Sequence, residues 1–76
     1  MARHLNVGVA KVGGSPKKVE ITSIAGIADR DTVYLDGPGH NFLAIKINGK
    51  GDIVRQPVGM LDNIPEGNYG LFIVVP

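Results

Sequence analysis

The run Leu71-Phe72-Ile73-Val74-Val75 constrains this chain more than any other segment. It is wholly apolar and rich in β-branched residues, which favours an extended strand over a helix. Side chains alternate along a strand, so Leu71, Ile73 and Val75 face one way while Phe72 and Val74 face the other. A strand apolar on both faces needs cover on both. Pro76 follows; it has no N–H to donate and blunts further ladder pairing.

A chain of 76 residues has room for one domain, and residues 1–76 are read as a single unit. A domain of that length buries only about 60% of its unfolded surface. With no cysteine, neither a disulfide nor a thiolate zinc site helps to hold it. Association is the remaining stabiliser open to small domains. Cover for the second face of the terminal run is therefore expected from a neighbouring chain. The expected contact residues are Phe72, Val74, Val75 and Pro76, joined by Ile24 and Ile27 from the apolar segment Ile24-Ala25-Gly26-Ile27-Ala28.

The rest of the chain reads as short strands punctuated by glycine and proline. The first spans Leu5–Val12, with Leu5, Val7 and Val9 on one face and Asn6, Gly8 and Ala10 on the other. Gly13-Gly14-Ser15-Pro16 ends it. The second spans Lys17–Ser23, where Val19 and Ile21 alternate with polar residues. The third is Thr32–Leu35 and the fourth Phe42–Ile47. Asn48-Gly49 then predicts a type I′ hairpin, with Gly51 as a bulge. The fifth runs from Asp52 to about Gln56, where Pro57 removes a ladder donor. Residues 59–64 form a compact connection, and the sixth strand is Tyr69–Val75. Six strands at this spacing predict an all-β, antiparallel sandwich or small barrel.

Eight basic residues balance seven acidic ones, and the signs are interspersed. That is a solvated surface, so nucleic acid is not the expected partner. No apolar window long enough to span a bilayer is present, and residues 1–6 lack the apolar core of a signal peptide. The expectation is a soluble protein made in the cytoplasm.

Reactive groups are sparse. His4 and His40 are the only histidines, and His40 with Asp36 lacks the three or four convergent ligands of a metal site. Asp29-Arg30-Asp31 lacks the closing glutamate of a calcium loop and reads as a polar turn. The glycine clusters at 13–14, 37–39 and 49–51 do not match a phosphate loop. Ser15 and Ser23 sit in no nucleophile elbow. No catalytic, cofactor or metal site is expected, and the chain is read as a non-enzyme.

The expected role is a structural subunit that packs apolar strand faces against copies of itself or a larger assembly. Small virion proteins of the capsid-decoration or head-fibre kind have this general character. The alternative is a binding module resembling SH3-like or OB-like barrels in size, taking nucleic acid or a peptide on a face with Phe42, Lys46 and Arg55. On the structural reading, by contrast, Phe42 and Phe72 belong to a core or interface, with Tyr34 and Tyr69 at its rim.

Overall fold

A computed structural model describes residues 2–27, 29–36, 42–56 and 58–76. The side chains of Phe42 and Val58 lie outside the described set, as do residues 37–41 with the His40 loop. Six strands are found: β1 (Arg3–Gly13), β2 (Lys18–Ile24), β3 (Thr32–Asp36), β4 (Phe42–Ile47), β5 (Ile53–Arg55) and β6 (Gly67–Val75). One short helical turn, α1 (Val58–Leu61), joins β5 to β6 where a compact connection is expected.

The strands form one antiparallel sheet, in the order β2-β1-β6-β3-β4-β5, that curls into a nearly closed barrel. The predicted choice between sandwich and barrel is thus decided for the barrel. The apolar run of β6 lies in the middle of the sheet, between β1 and β3. That position gives it two hydrogen-bonding neighbours. The β1–β6 ladder is the longest, running from Arg3 opposite Val75 to Val12 opposite Gly67.

β1 changes phase halfway along. Its register with β6 shifts between Asn6 and Gly8, leaving Val7 as an extra residue. Before the shift Leu5 shares a face with Ile73; after it Gly8 sits opposite Leu71. Ala10 and Val12 therefore turn inward with Val7, and Val9 turns outward at 40% exposure. Simple alternation puts Val9 inside and Ala10 outside, and the bulge reverses both. Gly8 is required there: a Cβ would overlap the Ser23 carbonyl oxygen of β2.

The barrel is filled by side chains from most of its staves. Val12, Val33, Leu35, Ile45 and Leu71 are fully buried, and Leu61 of α1 and Ile64 join the same cluster. A small barrel leaves just enough interior for such a filling. Among the described residues no polar or charged residue is buried.

The β4–β5 connection differs in type from the expected one. Gly51 N–H donates to the Asn48 carbonyl at 3.0 Å, closing a four-residue turn. The positive φ falls on Gly51, at +85°. A type I′ hairpin needs positive φ at both central residues, whereas this arrangement is a three-residue loop with a glycine bulge. Asn48 explains the preference: its Oδ1 accepts from the N–H groups of Lys50 and Asp52, each at 2.9 Å. That side-chain turn organises the loop from its first residue.

Candidate functional site

The first surface is the end of the β1–β6 ribbon. Residues 3–5 and 73–75 pair with each other beyond the two β3–β6 pairs, at Tyr34–Phe72 and Leu35–Leu71. On one face of the ribbon lie Leu5, Ile73 and Val75; on the other lies Val74, opposite His4. Leu5 is 47% exposed and Val74 37%. Val75 is half-buried against the core and Pro76 is exposed.

The predicted contact residues thus divide. Val74, Val75 and Pro76 stand at the ribbon end. Ile27 is buried in the core of the same chain, and Ile24 is half-buried against it. Phe72 is buried too, but outside the core cluster. It lies on the outer face of the barrel between two other rings. The His4 ring stacks on one side, with centroids 4.2 Å apart and an interplanar angle of 18°. The Tyr34 ring stacks on the other side at 5.5 Å and 23°. A single chain therefore covers Phe72 without a neighbour. His4 and Tyr34 escape a sequence search because β1, β3 and β6 are distant in the chain. Only the register brings their rings into one row.

The second surface continues that row across β3, β4 and β5. Lys46 sits opposite Thr32 on β3 and opposite Arg55 on β5. Its Nζ donates to Thr32 Oγ1 at 2.8 Å, and that hydroxyl donates to Asp31 Oδ1 at 3.1 Å. Lys46 and Arg55 are like charges directly across a strand pair, a disfavoured arrangement. Tyr69, expected at a rim, packs against the core while its hydroxyl donates to the Pro65 carbonyl at 2.6 Å.

The third feature is the seam where the barrel fails to close. Its edges are β2 and β5. At one end the Val19 N–H donates to Gln56 Oε1 at 2.6 Å, and Gln56 Nε2 donates to the Val19 carbonyl at 3.4 Å. At the other end Gly51 lies against Ile24; a Cβ there would come within 2.7 Å of Ile24 Cγ2. The edges therefore run antiparallel and touch at both ends. Each carries a register shift at mid-seam, at Thr22 in β2 and Val54 in β5. Bulges of this kind keep two edges from zipping together. What remains between the end contacts is an open groove lined by both edges.

Among the described residues no three histidine, aspartate or glutamate side chains converge as metal ligands. Nor is any described helix long and apolar enough to cross a membrane. Comparison with protein-family models, curated proteins and solved structures finds no match. Fold and surfaces together define a small antiparallel β-barrel domain with an exposed apolar ribbon end, an outer ring row and an open seam.

Proposed function

We propose that this domain is a non-enzymatic assembly subunit that docks onto copies of itself or a larger protein body, as a virion decoration protein does. The reading rests on the β1–β6 ribbon end, where Leu5 and Val74 expose large apolar side chains on opposite faces of one two-stranded element. An element that carries exposed apolar side chains on both faces can be covered on both by a neighbouring protein. Val75 and Pro76 extend it. Leu5→Asp with Val74→Asp is the test, because both positions are exposed and the barrel interior is left intact. Native mass spectrometry and light scattering of the wild type should show a defined oligomer, and the double variant should be a folded monomer. A wild type that stays monomeric and gains no order with an assembly partner would sink the proposal. Truncating β6 is a poorer test, because β6 is a central strand and its loss removes the sheet.

A second reading is favoured by the outer face. Arg55, Lys46, Tyr34 and His4, on β5, β4, β3 and β1, combine cations with rings, and the buried Phe72 holds the last two in place. Single-stranded nucleic acid is held by surfaces of this composition. A gel shift with a labelled oligonucleotide separates the two readings. Binding that weakens as salt rises and is lost in Lys46→Glu with Arg55→Glu supports this second one.

A further inference from the structure

We infer that the seam between β2 and β5 is a docking groove for an extended peptide segment of alternating apolar and acidic residues from a partner protein. The walls are main-chain edges. Val19 offers its N–H and C=O outward, away from β1, and backbone alternation aims the same groups of Ile21 into the groove. The floor is apolar: Ile21 and Ile53 are half-buried and pack on the core from opposite sides of the seam. The rim is basic. Lys18, Lys50 and Arg55 line it, and among the described residues none of their side chains has a bonded or ionic partner. Glu20 and Asp52 stand at the same rim, so its cations exceed its carboxylates by one. Cations in excess over an apolar floor suit a strand that turns aliphatic side chains inward and carboxylates outward.

Gln56 shows that the edge accepts such a guest. Its carboxamide accepts from the Val19 N–H and donates to the Val19 carbonyl, the pair of bonds that one hydrogen-bonded residue of an adjacent antiparallel strand makes. It is a tethered stand-in for one residue of the incoming chain. Docking would displace the carboxamide and pair the guest along β2 from Val19 to Ile21, short of the register shift at Thr22, a β-augmentation in which main-chain bonds supply affinity and alternate side chains supply selectivity.

The probe is the capped peptide acetyl-Thr-Glu-Val-Glu-Val-Thr-amide, titrated into the full chain and followed by NMR. The expected result is a set of amide shifts confined to residues 18–24 and 53–56, together with movement of the Gln56 side-chain NH2 signals. Gln56→Ala removes the competing carboxamide and should tighten binding about two- to tenfold. Lys18→Glu with Arg55→Glu, both at exposed positions, should weaken it more than about tenfold. Leu5→Asp with Val74→Asp should leave peptide binding unchanged, so failure of the assembly proposal and failure of this one are told apart. Absence of shifts at millimolar peptide in both the wild type and Gln56→Ala overturns the inference. So do shifts centred on the outer ring row, or equal binding of the lysine-for-glutamate peptide. Seam shifts that depend on protein concentration without peptide would assign the groove to a second copy and likewise overturn it.

Discussion

The rings of His4 and Phe72 lie nearly parallel, 4.2 Å apart at their centroids, although the residues are diagonal rather than direct partners across β1 and β6. Phe72 faces Asn6 in the ladder, and His4 faces Val74 one step along the same face. Long side chains bridge that diagonal readily. With Tyr34 on the other side, the pair buries a phenylalanine on the outside of a barrel. Phe72→Ala should therefore cost about 2–4 kcal/mol, near the low end for buried aromatic truncations. His4→Ala should cost about 0.5–1.5 kcal/mol, the range of an aromatic pair. Urea denaturation of both single variants and the double variant would give the coupling between them. A Phe72→Ala protein as stable as wild type would show that the stack contributes nothing.

Three glycines should respond differently to alanine, because their surroundings differ. At Gly8 the added methyl meets backbone of β2, which cannot move without breaking the β1–β2 ladder. Gly8→Ala should be among the most damaging single changes, above about 3 kcal/mol or unfolded at room temperature. At Gly51 the methyl meets an isoleucine side chain and the φ of +85° is unfavourable for alanine, so about 1–3 kcal/mol is expected. Gly49 has open space and no left-handed φ, so alanine should be near neutral there. Thermal melts of the three variants test the order; a tolerated Gly8→Ala would mean that the phase change in β1 is not rigidly built.

Tyr69 offers a single-atom test. Its hydroxyl donates to the Pro65 carbonyl four residues earlier and ties the turn before β6 to the strand. The bond is exposed, so Tyr69→Phe should cost about 0.5–1 kcal/mol and leave the core packing unchanged. Chemical denaturation measures the loss, and amide shifts at residues 64–68 should localise it.

The six strands are legible in the sequence because each is a branched apolar stretch between turn residues. Their order is not. Val12 and Gly67 pair across most of the chain, and no local pattern distinguishes β6 beside β1 from β6 beside β4. The face of Val9 is misread for a different reason. Period-two alternation holds only while the ladder is regular, and the extra residue at Val7 breaks it. Two-sided apolarity in residues 71–75 is a true signal whose resolution is partly internal. Ile73 and Leu71 face the core, and Phe72 finds its cover in His4 and Tyr34. Val74 alone in that run stays exposed, which narrows the expected contact from a whole strand face to the ribbon end. The seam is illegible in principle, since Val19 and Gln56 meet through a side chain and no residue pattern announces that contact.

That contact also sets how the barrel opens. The Val19 N–H and C=O are edge groups without a strand beside them, and the Gln56 carboxamide satisfies both. Replacing it with alanine leaves a part-buried donor and acceptor to water, at a cost of about 1–2 kcal/mol. The loss should be local. Amides inside the β1–β6 ladder open only with the whole fold, whereas the Val19 amide exchanges when the seam end opens. Hydrogen exchange of Gln56→Ala should therefore show the Val19 amide accelerated by about tenfold or more relative to wild type, beyond any uniform change across β1 and β6. Gln56→Glu separates the two bonds: a carboxylate still accepts from the Val19 N–H but offers the carbonyl no donor. Its Val19 amide should stay close to wild-type protection while stability falls by about half of the alanine loss. Equal exchange at Val19 in all three proteins would show that the seam is held by the Gly51–Ile24 contact alone.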